Sequence, residues 1–279
     1  MRMIEYLVLA SAISFLLFLI PGPHQRYAGI AGWTGMVAFL FTQLPDFFAE
    51  NNFVYPLMTI CSVPFLVITA RQIWNKREPV MHLTRGAAIA FVIYAPFEYI
   101  RPVGNWLIGH VVDEVSAILL YLQFPFTMFD WNIFINQGFR VEIILACTGI
   151  QSIAIMLGVA WAVKSTWTQK GLAFLLIAPV IYILNLLRNV FVIMAYTEQW
   201  FPYLPVIASN GEFGYESFFW AHNVICELLA LGVLIVIAFA LFKLIPALGV
   251  LADDLFKIYW GEIRRVRGKD TESSGQQRD

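Results

Sequence analysis

The stretch "GLAFLLIAPVIYILNLLRNVFVIMAY", residues 171–196, decides what kind of protein this is. It is long enough, as a helix rising about 1.5 Å per residue, to cross a hydrocarbon layer about 30 Å thick. Its second half nevertheless carries Asn185, Arg188 and Asn189. An arginine does not shed its charge, so inside a span it must be paired, hydrated or functional. The rest of the chain asks for the same apolar solvent. Of its 279 residues 59% are hydrophobic and 13% charged, and its mean hydropathy is +0.71. A bilayer accounts for that composition and a soluble domain does not. The net charge of -1 gives no reason to expect a nucleic-acid partner. Cys61, Cys147 and Cys226 are too few and too scattered for a disulfide framework or a zinc cluster. His24, His82 and His110 lack metal-ligand spacing, so neither a metal nor a cofactor is expected.

Seven segments read as spans: 3–20, 27–44, 53–71, 85–100, 141–163, 171–196 and 217–245. Pro21-Gly22-Pro23, "LPDFFAENN", "RQIWNKREP", "RPVGN" and "KSTWTQK" punctuate them. The first segment has no small-residue cleavage site after it and reads as a span rather than a signal peptide. Residues 103–137 are apolar but carry His110, Asp113 and Glu114, and they read as an interfacial or re-entrant segment. With the N-terminus outside, this arrangement puts fourteen basic residues on the inner side and three on the outer. The positive-inside rule therefore favours seven spans, N-out and C-in. The expectation is an all-α polytopic membrane protein, with one transmembrane catalytic domain over 1–267. Residues 268–279 would form a disordered cytoplasmic tail.

Polar groups inside spans cost several kcal/mol unless paired or hydrated. The fifth segment, "VEIILACTGIQSIAI" at its start, holds Cys147 and Gln151; the sixth holds Asn185, Arg188 and Asn189; the seventh holds His222, Asn223 and Glu227. In the topology above, Cys147 lies about 9 Å below the outer surface, Arg188 about 12 Å and His222 about 7–8 Å. Three successive helices thus bring a thiol, a guanidinium and an imidazole to one depth. A thiol is a weak nucleophile until ionised, and an imidazole within hydrogen-bond reach takes its proton. A fixed guanidinium suits the stabilisation of a thiolate or an oxyanion. Gly149 permits close backbone approach beside the thiol. Gln151 falls one turn from Cys147, and Asn185 three residues from Arg188. Cys61 and Cys226 read as small hydrophobes. Glu227 is an alternative partner for Arg188, and Phe218, Phe219, Trp220, Trp200 and Tyr203 read as an interfacial aromatic belt.

"ACTGIQS" around Cys147, "LNLLRNVFVI" around Arg188 and "FWAHNVICE" around His222 resemble the exosortase/archaeosortase family of polytopic membrane transpeptidases, on its archaeosortase side. The resemblance covers residues 140–230. It implies Cys147 as nucleophile, Arg188 as oxyanion or thiolate stabiliser, and His222 as general base and acid at a position that the family fills with arginine or histidine. It further implies substrates with a C-terminal tripartite sorting signal: a Pro-Gly-Phe motif, an apolar span and a basic end. Transfer of the cleaved protein to a membrane lipid acceptor at the exterior of the cell membrane would follow, with surface-layer glycoproteins as clients. Gln151, Asn185, Asn189 and Asn223 are candidate substrate-binding or supporting residues. Two readings compete: an intramembrane cysteine protease with water as acceptor, and a transporter or lipid-binding protein in which Arg188 grips an anionic head group. The second makes Cys147 dispensable, and no inverted repeat supports it.

Overall fold

In a bilayer every backbone N–H and C=O must be satisfied within the protein, so apolar runs become helices wherever Pro and Gly do not interrupt them. The computed structural model describes residues 3–49, 54–209 and 211–275. Its elements are α1 (Met3–Leu19), α2 (Gln25–Thr42), α3 (Leu44–Ala49), α4 (Val54–Trp74), α5 (Glu78–Tyr99) and α6 (Arg101–Tyr121). Three short strands follow, β1 (Thr127–Asp130), β2 (Ile133–Asn136) and β3 (Phe139–Glu142), then a 3₁₀ turn (Leu145–Thr148). The chain continues as α7 (Ile150–Ala162), α8 (Trp167–Thr197), α9 (Pro205–Ala208) and α10 (Tyr215–Phe218). A π-helical segment (Phe219–Cys226) leads directly into α11 (Glu227–Leu244), and α12 (Pro246–Gly275) closes the described chain. By length and composition, α5, α6, α8, Pro56–Trp74 of α4 and the continuous run Tyr215–Leu244 can each cross a membrane. Tyr6–Leu19 and α7 are shorter apolar helices.

The chain divides into two compact units, one of Met1–Ile89, Gly158–Ser165 and Ile245–Asp279, the other of Ala90–Leu157 and Thr166–Leu244. In the first, α1 and α2 pack closely because α2 offers glycines to large side chains of α1. A Cβ on Gly32 would stand 2.9 Å from the Phe15 ring, and one on Gly29 3.0 Å from Phe18. Ser11 Oγ closes the contact by donating to the Gly32 carbonyl at 2.7 Å. Such small-residue seams are how helices associate when hydrophobicity no longer drives them together. α12 joins the same unit, with Tyr259 bonded to Thr69 at 2.7 Å and Glu262 accepting from Gln72 at 3.1 Å.

The second unit is built on α8, a helix of 31 residues and about 46 Å. Thr166 starts it with a capping box shared with Gln169, satisfying first-turn donors that would otherwise be orphaned. Val111, Val115 and Leu119 of α6, Phe134 of β2 and Ile143 pack with Leu186, Val190 and Ile193 of α8. Asn136 Nδ2 donates to Thr197 Oγ1 at 3.2 Å, tying β2 to the end of α8.

Two expectations change here. Residues 103–137 are not one segment: they hold most of α6, a continuous helix of 21 residues long and apolar enough to cross a membrane, and then the strands β1 and β2. Two of the polar residues of α6 have defined neighbours. Tyr182 Oη donates to Glu114 Oε2 at 2.9 Å, and His110 lies against Trp106 with centroids 5.0 Å apart. Residues 141–163, expected as one span, split into the end of β3, the 3₁₀ turn and a helix of 13 residues. The cause is local. Gln137 and Gly138, at φ of 50° and 84°, form the two-residue left-handed turn that matches strand twist. β3 then continues antiparallel to β2, with Asn136 opposite Phe139 and Ile133 opposite Glu142. The tail expected at 268–279 coincides with the end of α12 as far as Gly275, and residues 276–279 lie outside those described.

Candidate active site

The 3₁₀ turn carries Cys147 at the mouth of α7, so the thiol belongs to a tight turn and not to a mid-membrane helix. Gly149 ends that turn at φ +78°, a left-handed conformation that side chains resist. A Cβ there would also stand 3.2–3.3 Å from the side chain of Asn185. The turn is tied to α8 through one atom. Asn185 and Asn189, one helical turn apart, both donate their side-chain amides to the Cys147 carbonyl oxygen, Asn189 at 2.8 Å. Both asparagines are 8% exposed. The Cys147 N–H is meanwhile held by the Ile144 carbonyl at 2.8 Å. The backbone that bears the Cys147 thiol is therefore fixed on both sides.

Arg188, on the same stretch of α8, donates from Nη2 to His222 Nε2 at 2.9 Å. A guanidinium has only donors, so Nε2 accepts and the proton of the neutral ring sits on Nδ1. Nδ1 is 2.8 Å from Asn223 Oδ1, an acceptor that suits this tautomer. The Phe218 ring stacks on the imidazole at 4.8 Å and 11°. Phe218 is thus a wall of the site, which corrects its assignment to the aromatic belt. Arg188 Nε is buried without a hydrogen-bond partner. Glu227, the alternative partner for Arg188, is exposed.

His222 lies in the π-helical segment Phe219–Cys226. Such wide turns are rare and concentrate at functional positions, because they re-aim side chains that a regular helix would present differently. One small pocket is lined by Cys147, His222, Asn189 and Phe218 with Val141, Glu142, Ile143 and two residues of α8. The sequence-predicted residues are brought together with one exception. Gln151 is exposed and donates to Tyr94 Oη at 3.1 Å, and Tyr94 in turn donates to Glu98 at 2.5 Å. It does not line the pocket of Cys147. Sequence reasoning missed β3 and Glu142. The readable signal was "IFINQGFRV", two β-prone runs about a Gln-Gly turn.

The chain matches the family described as transmembrane exosortase (Exosortase_EpsH) over residues 4–203, an interval that contains Cys147 and Arg188 and stops short of His222. It is 27% identical over 245 residues to Archaeosortase A of Natronomonas pharaonis, covering 81% of this chain and 78% of that protein. It is 26% identical over 266 residues to Archaeosortase A of Haloferax volcanii, covering 86% of this chain and 87% of the relative. No solved structure matches it. A match over most of the chain, together with apolar helices able to cross a membrane several times, identifies it as a multi-pass membrane protein that belongs to the transmembrane exosortase family.

Proposed function

We propose that this protein is an archaeosortase-type membrane cysteine transpeptidase that processes the C-termini of exported proteins. The observation that carries the reading is the shared pocket: Cys147 and His222 line it together, and Arg188 is bonded to that histidine. The substrate carries a tripartite C-terminal signal of Pro-Gly-Phe type, with an apolar span and a basic end. Cys147 Sγ attacks the scissile carbonyl as its proton passes to His222 Nε2. Arg188, released from Nε2, turns its donors to the oxyanion, and its unpartnered Nε is one such donor. The C–N bond breaks, the leaving amine takes the proton from His222, and a thioester remains on Cys147. A hydroxyl or amine of a membrane lipid then attacks the thioester, giving its proton to His222 and restoring the thiol.

We place the site near the extracellular face, for a reason that does not depend on how many N-terminal helices cross. Three apolar helical stretches separate the Cys147 turn from the C-terminal segment, α7, α8, and the π-segment with α11, and we read each as one pass. Lys164 lies between α7 and α8 and Lys170 in the first turn of α8, while Lys243 lies in the last turn of α11 and Lys257, Arg264 and Arg265 follow it. The positive-inside rule puts both groups in the cytoplasm and the thiol on the opposite side.

The test is co-expression of a tagged substrate bearing the signal with wild-type, Cys147→Ala and His222→Ala enzymes, followed by the mass of the substrate's new C-terminus. A lipid-sized adduct that disappears with Cys147→Ala supports the transpeptidase. A free carboxylate makes water the acceptor, and processing that survives Cys147→Ala removes the thiol from the mechanism.

A further inference from the structure

One wall of the pocket that holds Cys147 is formed by the end of β3, the last strand of a β-sheet, and by Ile143 after it. The sheet has the order β1-β2-β3, so among the described residues β3 pairs with a strand on one side only. Its register shows which backbone groups are free. Asn136 and Phe139 flank the two-residue turn, and residues flanking such a turn form a hydrogen-bonded pair. The alternation then directs the N–H and C=O of Phe139 and Val141 toward β2. Ile143 N–H continues the ladder, donating to the Asn132 carbonyl at 2.9 Å. The N–H and C=O of Arg140 and Glu142 point the other way.

That free edge is neither remote nor covered by the helix beneath the sheet. Phe139 packs its ring on Tyr196 of α8 at 5.2 Å, and Val141 joins the apolar cluster with Ile193. One face of β3 therefore lies on α8, while Arg140 and Glu142 are exposed. Val141, Glu142 and Ile143 line the same pocket as Cys147, with Phe218 and His222 also on its walls. Beyond β3 the chain stays extended at Ile144, with φ -112° and ψ 175°, before turning into the 3₁₀ segment that bears the thiol.

We propose that the polypeptide next to the scissile bond binds in extended form as a fourth strand on β3, pairing with the main chain of Arg140 and Glu142. The inference rests on the transpeptidase reading and specifies how that site holds its substrate. Two outward-facing residues offer two donors and two acceptors, over about 7 Å of strand. Recognition of this kind reads the peptide backbone and leaves side-chain choice to the pocket. One enzyme can then act on clients that share little beyond a short motif, with the carbonyl to be attacked held in register against Cys147.

The experiment alters the substrate and leaves the enzyme intact. Semi-synthetic substrates carrying the Pro-Gly-Phe signal are given a single backbone N-methyl group at each non-proline residue flanking the scissile bond in turn. They are then processed by the full-length enzyme in lipid nanodiscs. The expected result is a two-residue period: kcat/KM falls about tenfold to a hundredfold at alternate positions, where a main-chain donor to β3 is lost and its carbonyl partner left unpaired. Positions between them stay near the unmethylated value. Normal processing of every methylated substrate, or losses without alternation, would overturn the fourth strand alone. Failure of wild-type enzyme to process the unmethylated substrate, or its processing by Cys147→Ala, would overturn the transpeptidase reading and the strand with it.

Discussion

The asparagine pair under the proposed nucleophile gives a prediction whose size follows from the geometry. Asn185 and Asn189 donate to one oxygen, the Cys147 carbonyl, and both are buried. In Asn189→Ala one donor remains, so the loss is that of one neutral hydrogen bond, about 0.5–1.5 kcal/mol. Because that bond would position the proposed attacking thiol, the loss appears in kcat as roughly a 2- to 13-fold decrease, with KM little changed. In the Asn185→Ala, Asn189→Ala double variant the carbonyl has neither partner, and leaving a buried acceptor unsatisfied costs about 1–3 kcal/mol. The turn also loses its tie to α8, and a displacement of about 1 Å at a reacting group is worth about a hundredfold. The double variant should therefore lose more than the product of the single effects, as residues sharing a partner do. Asn189→Asp should be worse than Asn189→Ala, because it sets a carboxylate oxygen against the carbonyl oxygen. The assay is single-turnover formation of the thioester in nanodiscs, with the thermal melting temperature recorded beside it. Strictly multiplicative effects, or Asn189→Asp more active than Asn189→Ala, would refute the idea that the two amides act together on that oxygen.

Other expectations follow from the same site. Arg188→Lys keeps the charge but loses the planar fork that bonds His222 and is proposed to clamp an oxyanion, so kcat should fall at least about a hundredfold; a near-normal rate would remove the clamp role. Asn223→Ala deletes the acceptor for His222 Nδ1–H and frees the ring to take the wrong tautomer, with an expected loss of about tenfold or more in kcat at unchanged KM. Restoration of the rate by Asn223→Asp would support this, and an unaffected alanine variant would contradict it. Gly149→Ala forces a side chain onto a residue at φ +78° and against Asn185, costing about 1–3 kcal/mol. It should lower both melting temperature and rate, and a neutral result would mean that the turn relaxes freely.

The helices were legible because apolar length and proline–glycine breaks are local signals, and residues 171–196 needed nothing else. The meeting of Arg188 with His222, and of His222 with Cys147 around one pocket, was legible because polar groups in an apolar run stand out against their surroundings. Sheet pairing depends on partners elsewhere in the chain, and strands of four residues leave too little pattern to separate them from an apolar helix. The same blindness put Cys147 inside a span. "VEIILACTGIQ" has helical composition throughout, and only its pairing with β2 and its bonds from α8 make the first part a strand and a turn. Glu114 misled in the opposite sense. A carboxylate argues against a membrane-length helix until its partner, Tyr182, is known to lie 2.9 Å away on another helix. Phe218 was hidden for a similar reason, since stacking on His222 is a contact that no spacing rule announces.

The π-helical turn around His222 bears on how this protein can change over time. A wide turn holds more residues per revolution than its neighbours, so it behaves as an insertion carried permanently inside a helix. Deleting one residue between Phe219 and Cys226 would let the segment relax to an ordinary helix, swinging the imbidazole away from Arg188 while α11 kept its own internal bonds. Loss of activity by that route would be nearly invisible to a folding screen. Descendants of this sequence that had given up the chemistry would then differ from active ones by a length change in one helix, before any substitution at the thiol, the guanidinium or the ring.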